Sequence, residues 1–382
     1  MRVLQVLPSV VAGGGAEQSL VMVAPFLRQE GLTLHLAVLT DRQTLVPSVE
    51  RAGVVVHDLS AHRSTIGRAL AIRDVIGSVG PAVVHSTLFE ADISTRLASI
   101  GLDVPILSTW ANTTYSATRR DLEPGVAPWK RDVVRRVDAA TAKLSRSRFH
   151  AVTAGVAADG IAALGVDPGL VTVVERGRDP QSFVARTPEG RARARAALVL
   201  AEDDEAIVTV ARQAHQKGHV HLLAAFDRVA AARPHARLVL IGPRGAASPL
   251  VDEAISTMRH GDRVVDLGER SDVGALLAGF DVFVLASLAE GAAGALIEAM
   301  AVGAPIVVTE IEGLAGVVDP DRTAIVVRPG DPEDLATGLL RALDDPHAGE
   351  LRASAARAEF ERRFSIEHSA RQLAALYRSV AG

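Results

Sequence analysis

Cysteine is absent from all 382 residues. That removes disulfides, thiolate zinc sites, iron–sulfur clusters and cysteine nucleophiles together. Aromatic residues are scarce: two Trp and two Tyr offer few platforms for stacked bases. With a net charge of −4 there is no bulk attraction for a polyanion either, so nucleic acid is not an expected partner. No run of about 18 apolar residues occurs, so no membrane-spanning helix is expected. The stretch MRVLQVLPSVVAGGGA is interrupted by Gln5 and Pro8. It reads as a strand and turn entering a helix rather than a secretion signal, and a cytoplasmic protein is the expectation. Lysine is nearly missing too: of 41 basic residues only Lys130, Lys143 and Lys217 are lysines. Such an arginine excess reflects coding bias, so most arginines need no functional reading. A retained lysine merits one.

What is present is a steady alternation of β-branched runs and helical patterns. Seven strands are expected in the first half, among them Val3–Leu7, Ala82–His85, Ile106–Thr109 and Phe149–Val152. Six follow in the second, including Ile207–Val210, Val282–Leu285 and Ile306–Val308. Strand–helix alternation predicts α/β architecture with parallel sheets covered on both faces. Thirteen strands exceed one comfortable sheet, so two doubly wound, Rossmann-like domains are expected. The stretch Gly177–Gly190, with two Pro and no periodicity, is the expected hinge.

Residues 119–148 differ in charge, with nine basic and four acidic side chains. Val133, Val137, Ala140 and Leu144 recur at helical spacing, which places an apolar stripe behind the basic face. Two readings stand: a solvated helix face, or contact with an anionic membrane surface or acceptor.

Ligands of doubly wound domains bind beyond the carboxyl ends of the strands, and three such loops carry chemistry. Gly13-Gly14-Gly15 follows the first strand and allows close backbone approach at a helix N-terminus. It lacks the spacing of a dinucleotide fingerprint, because position 18 is Gln18. In Val210–Gly218, Arg212 and Lys217 lie five residues apart in a loop, where both cations can turn toward one diphosphate. His215, His219 and His221 lie nearby, but with no Cys or carboxylate beside them no metal is expected. In Ser287–Ala301, Glu290 precedes a helix and Glu298 falls on a face of small and apolar neighbours. A carboxylate there needs partners, and ribose hydroxyls suit it. The amides of Gly294, Ala295 and Leu296 would face phosphates.

With these loops assembled, the chain resembles the retaining family 4 glycosyltransferases, over nearly its whole length. The resemblance rests on GGAE at Gly14–Glu17, VTVVERGRDPQSF at Val171–Phe183, VARQAHQKG at Val210–Gly218 and DVFVLASLAEGAAGALIEAMAVGAPIV at Asp281–Val307. It implies the B-type glycosyltransferase fold: two Rossmann-like domains facing a cleft, the last helix crossing back to the first. Residues 1–178 with 365–382 would bind the acceptor, and 179–364 the nucleotide sugar. Arg212 and Lys217 would hold the donor diphosphate, and Glu298 the ribose. Glu290 would contact the donor sugar, and Gly14 and Gly15 would close over the phosphates. Arg212, Lys217 and Glu290 would form the catalytic set, with no metal or cofactor beyond the UDP- or GDP-type donor. The activity implied is hexosyl transfer to a hydroxyl acceptor with retention.

The pattern departs on the acceptor side. Ala111 stands where many members have histidine, His85 begins an H-x-H that ends in Thr87, and Arg176-Gly177-Arg178-Asp179 replaces N-G-V-D. His85, Thr87, Asn112 and Arg178 are the acceptor-side candidates. Three other readings follow: a nucleotide-sugar epimerase on this fold, a nucleotide-binding homologue without catalysis, and a two-lobed binding protein. A peripheral position on the inner membrane face would follow from the basic segment.

Overall fold

Leucine- and valine-rich runs buried on both sides become the strands of two parallel sheets. The computed structural model describes residues 1–11, 15–122, 125–184 and 186–382. Within them the chain divides into two units, Met1–Gly177 with Ile366–Gly382, and Arg178–Ser365.

The first unit holds β1 (Arg2–Leu7), β2 (Thr33–Val38), β3 (Val55–Asp58), β4 (Val83–Thr87), β5 (Ile106–Trp110), β6 (Arg148–Ala151) and β7 (Val171–Val173), in the order β3-β2-β1-β4-β5-β6-β7. The second holds β8 (Glu205–Val210), β9 (Ala236–Ile241), β10 (Val264–Asp266), β11 (Val282–Leu285), β12 (Ile306–Thr309) and β13 (Ile325–Val327), in the order β10-β9-β8-β11-β12-β13. In each sheet the winding reverses once, between β1 and β4 and between β8 and β11. Loops leaving the two strands on either side diverge there and open a crevice.

Helices cover both faces of each sheet. The helix Ile366–Ala381 places Ile366, Ala370, Leu373, Tyr377 and Val380 on one face, at helical spacing, against the helix Gly15–Gln29 and β4 of the first sheet. Arg178 and Ser365 were expected in the first domain but belong to the second unit. The Arg178 amide donates to the Phe364 carbonyl at 2.9 Å, and Arg178 bridges Ser365.

The helix Pro128–Leu144 corrects an expectation. Its buried side is Asp138 and Ala142 flanked by half-buried Arg131 and Arg135, whereas Trp129, Val133, Val137 and Leu144 are exposed. The apolar stripe faces out. No helix among the described residues is long and apolar enough to cross a membrane.

Candidate functional site

At the winding reversal of the second unit, the loops after β8 and β11 are tied together by backbone. The Gln216 carbonyl accepts the amides of Leu288 at 2.7 Å and Ala289 at 3.4 Å. Between them Gly218 adopts φ +67°, and a Cβ there would lie 2.0 Å from the Ala286 carbonyl oxygen. Only glycine permits both the backbone angle and the approach. This seats Lys217 against Glu290, with Nζ 2.5 Å from Oε1. Ser287 donates its hydroxyl to the same oxygen at 2.6 Å, and Thr309 holds the Ser287 carbonyl at 2.5 Å. Gly313 completes the seat: a Cβ there would stand 1.9 Å from the Glu290 carbonyl oxygen. Glu290 is 7% exposed, and a carboxylate so buried is tolerable only because cation and hydroxyl meet it.

Arg212, in the same loop, is exposed, and its guanidinium makes no ion pair among the described residues. Two buried acceptors beside the loop also lack partners, Gln213 Oε1 and His219 Nδ1. The His219 ring is pushed down to about 4, first by burial and then by the charge of Lys217, and so stays neutral. Neither unpartnered atom is foreseeable from residue type or spacing. Among the described residues no three His, Asp or Glu are grouped to hold a metal ion.

The helix Gly294–Val302 starts after Ala293, which supplies no side-chain cap. Its first-turn N–H groups therefore offer an anion site, apart from the Leu296 amide, which is taken by the Ala293 carbonyl at 3.0 Å. Leu296 itself is fully buried, so only Gly294 and Ala295 keep the expected role open. Glu298 was expected to await ribose. Instead its Oε1 accepts Arg178 Nε at 2.8 Å. A Cβ on Gly294 would lie 1.9 Å from Arg178 Nη2, so the guanidinium crosses the first turn of the helix. Arg178, expected among the acceptor-side residues, thus lies against Glu298 and Gly294 within the second unit.

The winding reversal of the first unit combines a run of neutral hydrogen-bonding groups with the charged Arg176 and Glu175. Gly14 lies outside the described residues; Gly15 opens the helix Gly15–Gln29, with Arg176 Nη1 3.2 Å from where its Cβ would be. Below it is a cavity of about 80 Å³ lined by His85, Thr87, Thr109, His150, Arg176 and Ser369, among others. One hydrogen-bond chain runs through its wall. His150 Nε2 meets the Val174 carbonyl at 2.9 Å, so that nitrogen carries the proton and Nδ1 must accept. Thr109 then donates to His150 Nδ1 at 3.0 Å and accepts from His85 Nε2 at 2.5 Å. His85 Nδ1 accepts the Tyr377 hydroxyl at 2.7 Å, which in turn accepts Gln5 Nε2 at 3.1 Å. Burial drives His150 down to about 4 and His85 well below its usual range, so both rings are neutral. Asn112 is not part of this cavity; its Oδ1 is buried without a partner. Thr109, His150 and Tyr377 were not anticipated. The available signal was a histidine near the carboxyl end of each of two apolar parallel strands.

Comparison with known proteins gives these geometries a context. Residues 13–182 match the family model described as Glycosyltransferase Family 4, and residues 204–345 that described as Glycosyl transferases group 1. The chain is 30% identical over 307 residues to the MMP alpha-(1->4)-mannosyltransferase of Mycolicibacterium hassiacum, covering 77% of this chain and 70% of that protein. It is 27% identical over 223 residues to the 2-deoxystreptamine glucosyltransferase of Streptomyces kanamyceticus, covering 58% of this chain. This chain belongs to the family 4 glycosyltransferases. It spans 57% of the length of the Streptomyces enzyme and 54% of another curated glycosyltransferase. Among solved structures, Anabaena Alr3699/HepE in complex with UDP aligns with a TM-score of 0.84 at 20% identity, over 99% of this chain and 100% of that one. That likeness establishes the B-type glycosyltransferase fold.

Proposed function

We propose that the chain transfers a hexose from a nucleoside-diphosphate sugar to a hydroxyl acceptor, with retention of anomeric configuration and without a metal ion. The observation that carries this is the buried Glu290 paired with Lys217 at the second unit's winding reversal, with exposed Arg212 in the same loop. Related glycosyltransferases and a UDP-bound structure of the same fold support it.

In the reaction the bond from the anomeric carbon to the diphosphate oxygen breaks, and negative charge gathers on the leaving group. Arg212, Lys217 and the amides of Gly294 and Ala295 stabilise that charge. The acceptor oxygen bonds to the anomeric carbon on the face the diphosphate leaves, and its proton passes to a departing phosphate oxygen. Glu290 orients the donor sugar and offsets positive charge at the ring. Glu298, with Oε1 held by Arg178, keeps Oε2 for ribose hydroxyls. On the acceptor side, the cavity beside His85 and Thr87 takes the incoming hydroxyl-bearing molecule.

The test is a thermal-shift panel of UDP, GDP and ADP and their hexose conjugates, followed by NMR of the product's anomeric proton. A ligand at 100 times its Kd stabilises by about 2.7 kcal/mol. Glu298→Ala should weaken that ligand by roughly 10–100-fold, the loss of a charge-assisted hydrogen bond. No shift with any nucleotide, or a product of inverted configuration, would sink the proposal.

A further inference from the structure

The helix Pro128–Leu144 is a surface helix turned the wrong way round for a soluble protein. At 100° per residue, Trp129, Val133, Val137, Ala140 and Leu144 fall within an arc of about 80°. All five are exposed, Trp129 at 64% and Leu144 at 66%. The opposite face is anchored by polar contacts. Asp138 accepts Arg96 Nη1 at 2.5 Å on one oxygen and the Tyr115 hydroxyl at 2.5 Å on the other. Arg96 also reaches Thr141 Oγ1 at 3.3 Å, and Arg135 donates to the Ala163 carbonyl at 3.1 Å. Arg96 is 1% exposed, so the anchor is a buried, charge-paired joint. Such a joint fixes the helix's rotation and holds the apolar side outward.

Charge decides what that side meets. Arg136 and Lys143 border the stripe on one edge and Lys130 on the other, all exposed, and Arg146 follows at the end. Two of the chain's three lysines are here. The exposed acid of the helix, Asp132, falls beyond Lys143 on the same edge and lies 3.9 Å from Arg135, so the basic side chains along that edge outnumber it. An apolar stripe between basic rows fits the boundary between lipid headgroups and acyl chains, where the stripe sinks about 5–10 Å and the cations meet phosphates. A second copy of the chain would bring like charges together. We infer that the helix Pro128–Leu144 is an interfacial helix that docks the first unit on an anionic lipid bilayer. This surface is independent of the nucleotide reading, since all its groups lie in the first unit.

The experiment is co-sedimentation of the full chain with phosphatidylcholine vesicles, with and without 30% phosphatidylglycerol (about 30%, chosen as a moderate anionic load). The wild-type chain should partition onto anionic vesicles at least about tenfold better than onto neutral ones, less so at high salt. Val133→Asp should lower that partition about tenfold or more, and Lys143→Glu, a change of two charges at about fivefold each, by roughly 25-fold. Val199→Asp, in the exposed turn after residue 197 of the second unit, should leave it unchanged. Unaltered circular-dichroism melts would show the variants fold. Equal binding to both vesicle types, no binding to either, or stripe variants that sediment like wild type would overturn the inference. So would a concentration-dependent dimer in light scattering that Val133→Asp dissociates.

Discussion

The two units share a winding order yet build opposite environments where it reverses. In the second, the loops after β8 and β11 bring charge together: Lys217 on Glu290, Arg178 on Glu298, and Arg212 exposed. In the first, β4, β5 and β6 contribute a closed run of neutral hydrogen bonds through His85, Thr109 and His150. Topology therefore selects where a site can form, and loop composition selects what it binds. Charged groups suit a diphosphate whose charge grows during reaction. The neutral run through His85, Thr109 and His150 offers hydrogen bonds of fixed polarity, with Arg176 the charge beside it.

The largest effect that would break this contrast is on turnover. Lys217→Ala should lower kcat by about 10²–10³-fold in a donor-consumption assay. His85→Gln, in the neutral wall, should act mainly through KM for the acceptor. Equal kcat losses from both would mean the two walls are not chemically distinct. Next comes pH. His150 titrates at about 4 in the folded chain against 6.5 unfolded, so the unfolded state binds more protons between those values. Its contribution is intact above about 6.5 and is lost as pH falls toward 4, by about 3 kcal/mol. Asp92 works in the opposite direction. Burial raises it to about 7, so its contribution is full below 3.8 and is lost as pH rises through 7. A wild-type pH profile alone would blur the two. The clean measurement is the urea-unfolding difference between wild type and His150→Asn, whose gap should narrow steadily from pH 6.5 to 4. A constant gap would show His150 is not held neutral. The smallest effect is Tyr377→Phe, which leaves His85 Nδ1 buried without a donor. It should cost about 1–3 kcal/mol in urea unfolding while leaving nucleotide affinity in the second unit unchanged.

The architecture was legible because parallel strands buried on both faces are short apolar runs, and these stand out between helical patterns. Arg212, Lys217, Glu290 and Glu298 were legible as charges at strand ends, where such folds bind ligands. Their pairings were not. Lys217 and Glu290 are 73 residues apart, and Arg178 and Glu298 are 120 apart, so only the fold brings them together. Periodicity revealed the apolar stripe of 129–144 but not its direction. The deciding residues, Arg96 and Tyr115, lie on other elements.

The route of the chain through the two units has a consequence for its synthesis. The first unit is left unfinished at Gly177 and resumed at Ile366. At 5–20 residues per second, the ribosome spends roughly 10–40 s on the second unit in between. Throughout that delay the first sheet lacks Leu373, Leu376 and Tyr377, and the groove beside the helix Gly15–Gln29 stays bare. The second unit is continuous in sequence, and its own core closes with Ala356, Phe360 and Phe364, just before the first unit resumes. Chain order and domain order therefore part in this protein: the helix Ile366–Ala381, which completes the first unit, is made only after every residue of the second.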